Sequence, residues 1–264
     1  MDRSTPESRA VPTRRLLPRT LSLLPRTLGL LGAALIAACA TPPDRPDPEA
    51  WIPVYDQASG NGRADFVCSE PDRFVAGAAG ELELLPIGDG QQRYAPPHRS
   101  PHSIALLRGI EVRDFDLECE LLQSGPEEPH RDICMFFGFE SPQRYYYVHL
   151  APRPDPHAHN IFCVDEAPRV ALSPVPTGGI RWGDGEWHHV RIERRVDLGT
   201  IAVYWDRQPD PILIARSPTI EWGGVGFGSF DNSGRMRKLV VRAKGSRKPA
   251  TAGSPFAANT GAHR

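Results

Sequence analysis

Tyr145, Tyr147 and His149 stand two apart in the stretch Arg144–Leu150, RYYYVHL. A β-branched and aromatic run bounded by Pro142 and Pro152 reads as a strand between two breakers. Side chains on a strand alternate, so Tyr146, Val148 and Leu150 share a core-type face while two phenols and an imidazole share the other. That second face is too polar to be buried without partners. Nearby, Asp116, Glu118 and Glu120 alternate with Phe115, Leu117, Cys119 and Leu121, which puts three carboxylates on one strand face. A loop that opens with several prolines then supplies His157, His159 and Asn160. Ring faces beside carboxylates, imidazoles and amides suit a sugar, whose C–H faces pack on aromatics while its hydroxyls need donors and acceptors. Glu118 and Glu120, two apart on a strand, lie about 7 Å apart, a spacing compatible with an inverting acid–base pair.

The elements that must hold these groups are strands. After Cys39, strand-like runs separated by Gly, Pro, Asp and Asn cover 81–85, 103–107, 115–122, 133–139, 145–150, 161–164, 169–172, 187–194, 200–205, 212–215, 225–230 and 236–242. No helix of three turns is evident, and many short strands at regular spacing predict an all-β fold, an antiparallel sandwich or barrel. Matching apolar parity pairs 115–121 with 133–139, Cys119 opposite Met135. A short turn at Pro142-Gln143 then sets Phe139 opposite Tyr146, Phe137 opposite Val148 and Met135 opposite Leu150. On the non-core face this register places His149 by Phe136 and Glu118, and Tyr147 by Gly138 and Asp116. Directly opposed pairs sit about 5 Å apart, so one contiguous patch results. The competing reading is a solvated sheet face with ordinary cross-strand pairs. His189 and Arg191, opposite the inward Val190 and Ile192, extend the groove or form a charged solvated face, and Arg169 has the same two readings.

Charge and composition narrow the classes. The chain has 264 residues with a net charge of −1. Residues 1–38 carry six arginines against two acidic residues and end in the apolar run 28–38 before Cys39. This is the pattern of an exported leader, too short in its apolar part to span a bilayer. Ile36-Ala37-Ala38-Cys39 resembles a bacterial lipobox, with Cys39 as the lipidated residue and a membrane-anchored location on the periplasmic or cell-surface side. The expected organisation is a signal peptide over 1–38, a Pro-rich tether over 39–50, a β-sandwich over 51–243 and a disordered basic tail over 244–264. Residues 39–239 hold 20 basic and 30 acidic side chains, which argues against a nucleic-acid partner. None of Cys68, Cys119, Cys134 and Cys163 shows CxxC spacing, and the parity above points Cys119 and Cys134 to opposite faces. His157-Ala158-His159 has ligand types suited to zinc, but its loop does not fix a geometry. Neither a metal nor a cofactor is expected, and His159 and Asn160 are read as sugar-hydroxyl ligands.

Several segments together resemble the concanavalin A-like lectin/glucanase superfamily in its laminin G-like form, and within it exported bacterial domains of the 3-keto-disaccharide hydrolase group. They are 114–120 (DFDLECE), 146–149 (YYVH), 155–160 (DPHAHN), 185–192 (GEWHHVRI), 199–204 (GTIAVY) and 225–231 (VGFGSFD). The resemblance implies a two-sheet antiparallel jelly roll with ligand on its concave sheet, and places the family's recurrent strand glutamate at Glu120. The ExDxxE run of the fold's glucanases does not occur, and Arg235-Met236-Arg237-Lys238 stands where some relatives approach calcium with an aspartate. The functional expectation is an exported, lipid-anchored domain that binds or processes a saccharide or glycan, with glycoside hydrolysis as one of three open readings. Glu118, Glu120 and His149 are the catalytic candidates. Phe136, Tyr145, Tyr147, His159, Asn160, Arg169, His189 and Arg191 are the substrate contacts. A non-catalytic lectin-like module and a surface adhesion or structural lipoprotein are the alternatives.

Overall fold

The computed structural model describes residues 51–88, 94–176, 178–250 and 253–256. Seventeen strands follow one another: β1 Ile52–Asp56, β2 Phe66–Cys68, β3 Phe74–Ala76, β4 Leu82–Leu84, β5 Ser103–Leu107 and β6 Glu111–Val112. Then come β7 Phe115–Gln123, β8 Ile133–Ser141, β9 Arg144–Leu150, β10 Asn160–Asp165, β11 Val170–Ala171 and β12 His188–Arg195. The last are β13 Thr200–Trp205, β14 Leu213–Arg216, β15 Gly224–Ser229, β16 Gly234–Ala243 and β17 Ser246–Arg247. The helical segments among the described residues are short 3-10 turns.

Two antiparallel sheets make a jelly-roll sandwich. The first runs β14-β13-β12-β7-β16-β4-β3, with β1 also on β16; the second runs β11-β10-β9-β8-β15-β5-β2. A small β17-β6 ribbon makes a third sheet, bridged through Val112 to Gly223 just before β15. The core lies between the sheets. Leu117, Cys119, Leu121, Val190 and Ile192 enter it from the first, and Met135, Phe137, Tyr146, Val148 and Phe227 from the second.

The expected β7–β8 hairpin does not form. β7 hydrogen-bonds to β12 and β16, whereas β8 lies in the other sheet between β9 and β15. The segment 124–132 carries the chain from one sheet to the other. The apolar sets of β7 and β8 do meet, but face to face across the core, as Phe115 and Phe137 do with ring centroids 5.8 Å apart. Parity reports which face is apolar; it does not report which strand is the hydrogen-bonding neighbour.

The β8–β9 register is also corrected, by two residues. Ser141 pairs with Arg144 as a short turn requires, but farther in Phe137 lies opposite Tyr146, Met135 opposite Val148 and Cys134 opposite His149. β8 bulges between Phe137 and Ser141, with Gly138 at φ 57°. A Cβ there would sit 3.2 Å from the Tyr146 ring and 3.3 Å from Ile220, so glycine serves both the backbone and the packing. Up to Phe137 the shift is even and core faces core as expected; past the bulge Phe139, expected in the core opposite Tyr146, turns to the outer face and stacks on Tyr145.

The basic tail is ordered in part. Arg247 pairs with Glu111 within the β17-β6 ribbon, and Phe256 is buried against Tyr94 and Phe139. The leader and tether, Cys39 included, lie outside the described residues.

Candidate functional site

The outer face of the second sheet is neither open nor solvated. Tyr145, Tyr147 and His149 share it as the alternation predicts, but they are 0%, 0% and 5% exposed. Phe136, Phe139, Phe162, Val164, Ile104 and Leu106 join the two tyrosines in a second apolar cluster, which Phe256 closes, and the His149 ring lies edge-on to Phe162. Each polar tip finds a partner inside this layer. Tyr145 donates to Ser100 Oγ at 2.6 Å and stacks on Phe139. Tyr147 stacks on Phe162 and accepts a hydrogen bond from Arg169 at 2.6 Å. Asn160 exchanges two bonds with the Ser173 backbone, 3.1 and 3.0 Å, and is fully buried. Its amide is spent on the fold, so the expectation that Asn160 binds a sugar hydroxyl is corrected. The same holds for Phe136 and Tyr145, which are packed away from any ligand.

The face opens at one end into a pocket of about 390 Å³. Glu128, His130 and Asp132 reach it from the segment between β7 and β8, His149 from β9, and Asp155 and His157 from the segment before β10. Arg169, Arg99, Phe230, Asp231 and Asn232 complete the wall. Asp132 is its most constrained member. Its Oδ1 accepts from Ser229 Oγ at 2.9 Å, and its Oδ2 from the Phe230 amide and Cys134 Sγ, both at 3.2 Å. Its own amide donates to Asn232 Oδ1 at 2.6 Å, and Asn232 Nδ2 donates to Glu128 Oε1 at 3.0 Å. Arg73, buried, anchors the Asn232 carbonyl from behind at 3.1 Å. The wall is thus fixed before any ligand arrives.

Two histidines are locked by backbone amides. His159 N–H donates to His149 Nδ1 at 3.1 Å, and Ala151 N–H donates to His159 Nδ1 at 3.3 Å. A neutral ring that accepts at Nδ1 carries its proton on Nε2. His149 therefore points an N–H towards Asp132, 3.5 Å away. Burial, with His149 adding to it, lowers His159 to about 4. His159 is thereby a neutral structural residue rather than a ligand contact.

Asp132, Cys134 and His149 bring a carboxylate oxygen, a sulfur and a ring nitrogen within 4.8 Å of one another. This trio does not fit a metal. Ligation through Nε2 would force a proton onto Nδ1, against the His159 amide. Burial, and then the neighbouring Asp132 carboxylate, raise the Cys134 thiol well above its ordinary value, so it stays a donor. The three groups hold hydrogens between them.

The other candidates lie on the opposite side of the sandwich. Glu118, Glu120, His189 and Arg191 project from the outer face of the first sheet, so the expected union of the carboxylates with His149 is corrected. There the acids are neutralised in place. Glu120 accepts from Arg237 at 2.7 Å and Lys238 at 2.9 Å, and Glu118 meets Arg242 at 3.1 Å and His189 at 3.2 Å. Partial burial works to raise Glu120, and the Lys238 and Arg237 hydrogen bonds overcome it and leave its carboxyl below the usual range. Arg191 lies over Tyr204, 3.7 Å from the ring centroid, and pairs with Glu193. A pocket of about 160 Å³ accompanies this ladder.

No family model and no curated protein matches the sequence. Solved structures match in shape. A protein of unknown function with a galectin-like fold from Bacillus subtilis superposes with a TM-score of 0.52 at 10% identity, over 75% of this chain and 99% of that one. The chain has the concanavalin A-like fold. Lectin I from Ulex europaeus, in complex with the methyl glycoside of α-L-fucose, gives a TM-score of 0.49 at 12% identity, over 72% and 97%. Winged bean acidic lectin, complexed with methyl-α-D-galactose, gives 0.47 at 10% identity, over 74% and 98%. At such identities the likeness is one of fold.

Of the residues singled out in the sequence, this concanavalin A-like sandwich brings His149 and Arg169 to the pocket and sets Tyr147 directly behind Arg169. Asp132, Ser229, Phe230 and Asn232 were not singled out for the site. Their signal was positional: Asp132 immediately precedes the apolar run of β8, and the polar group SFDNS closes β15.

Proposed function

We propose that the protein binds a saccharide in the pocket at the end of the second sheet's outer face. The carrying observation is the wall itself: an aromatic face, Phe230, beside hydrogen-bonding groups of both kinds held by a buried network around Asp132. The volume of about 390 Å³ falls in the range of small-ligand sites. A sugar ring offers this combination its C–H face and its hydroxyls. Binding without turnover is the favoured form. Acid–base chemistry shared between Glu118 or Glu120 and His149 is not available, since these groups stand on opposite sheets. Export and lipid anchorage at Cys39, on the periplasmic or cell-surface side, belong to the same proposal and rest on the sequence of the leader alone.

Isothermal titration of the purified protein against a glycan panel tests the reading. Saturable binding that Phe230→Ala and His149→Ala abolish, and that Glu118→Gln and Glu120→Gln leave intact, is the expected result. Binding that follows the two glutamates instead would move the site to the first sheet. Release of product from any glycan would replace the lectin-like reading with an enzymatic one. Loss of the membrane-associated fraction in Cys39→Ser checks the anchor.

A further inference from the structure

The pocket holds its charges unequally. Arg169 is half-buried at the wall, its guanidinium carbon 4.8 Å from the Phe162 centroid and 5.1 Å from that of Phe230. It donates to two neutral oxygens, Tyr147 Oη at 2.6 Å and the His157 carbonyl at 3.2 Å. Burial keeps the Tyr147 phenol far above its ordinary value although Arg169 pulls it down, so the phenol brings no counter-charge. Among the described residues Arg169 meets no carboxylate, and its remaining N–H groups have no protein acceptor. Arg99, exposed on the same pocket, likewise pairs with none of them.

The acids of the wall are already engaged. Asp132 is saturated as described, and Glu128 accepts from Asn232. Asp155 accepts the His157 amide at 2.6 Å and faces His130 at 3.7 Å. Asp231 is not free either. A planar fork of donors, held flat by aromatic rings and lacking an anion, is matched by a planar carboxylate more closely than by a hydroxyl. We infer that the saccharide bound in this pocket is acidic, with a uronic acid carboxylate paired to Arg169. This deepens the saccharide reading and rests on it.

The test is titration of the purified protein with trimers of glucuronate and of galacturonate, their methyl esters, and the corresponding glucose and galactose trimers. At least one acid should bind roughly tenfold or more tightly than its neutral parent, and the preference should shrink as salt rises. Its methyl ester, alike in shape but uncharged, should fall back to the neutral value. Arg169→Gln should remove the preference. Because Arg169 also packs between rings, Tyr147→Phe serves as a second variant. It keeps the charge and the rings, and should weaken the acid severalfold while leaving the neutral trimer unchanged. A neutral trimer or ester that binds as tightly as the acid overturns the inference and leaves the saccharide site standing. Tighter binding of glucose 6-sulfate than of either uronate overturns the carboxylate. If no trimer of any kind binds, both readings fall together.

Discussion

The two outer faces of this sandwich are built from the same alternating backbone and have opposite fates. On the first sheet β7, β12 and β13 alternate buried and partly exposed residues along most of their length, and the outward set is a lattice of ion pairs. On the second, β5, β9, β10 and β15 are buried on nearly every residue, because Tyr94, Ser100, Phe230 and Phe256 cover the outward set. An antiparallel sheet ordinarily leaves one face to water; here a third layer has been added. Charge that stays near solvent can be matched by neighbouring arginines at little gain or loss. Phenols and imidazoles placed under a cover must each be given a partner, and the pocket is where that cover stops.

Substitutions can break this contrast. The largest effect is expected for Phe136→Ala, about 3–5 kcal/mol of unfolding free energy, since its ring packs against both Tyr145 and Tyr147. A loss below about 1 kcal/mol in a urea titration would mean that the layer is not a core. Next comes Asp132→Ala, at roughly 2–4 kcal/mol. It strands the Ser229 hydroxyl and the Phe230 amide, and saccharide binding should disappear even where the protein stays folded.

Acid should distinguish the faces as well. His159 is lowered to about 4 in the folded chain, so the unfolded chain takes up the proton first. Stability is then whole above about pH 6.5 and declines by roughly 2–3 kcal/mol as pH falls towards 4. His159→Asn, which retains an acceptor and tolerates the φ of 51°, should flatten that limb in melting curves recorded from pH 7 to 4. The smallest effect belongs to Glu120→Gln on the first sheet, within about 1 kcal/mol and shrinking further in salt. A loss comparable to Phe136→Ala would show that the ion-pair lattice supports the fold.

What the sequence made legible follows the same division. Runs long enough to show parity, such as FDLECEL and RYYYVHL, gave strands and inward faces that hold in the structure. β2, β3, β6 and β17 span two or three residues each, and only pairing makes them strands. Neighbours were not legible, because alternation is local and the β7–β8 crossing is not. The two-residue register shift was hidden in a single glycine, Gly138. The cover over the second sheet did leave a mark: ICMFFGF lacks alternation altogether, which signals a strand buried on both sides. A phenol's polar tip gives Tyr145 and Tyr147 the character of open ligand contacts, whereas the apolar side chains around them decide their burial. The pocket's Asp132 network joins chain segments about a hundred residues apart, and nothing local announces it.

Phe256 stands near the end of the chain and is 4% exposed, wedged beside Phe139 and Tyr94. Trimming the protein short of that ring would uncover a greasy window on the second sheet. Molecules so clipped should adhere to one another in concentrated solution, while the charged side of the sandwich remained as repellent as before.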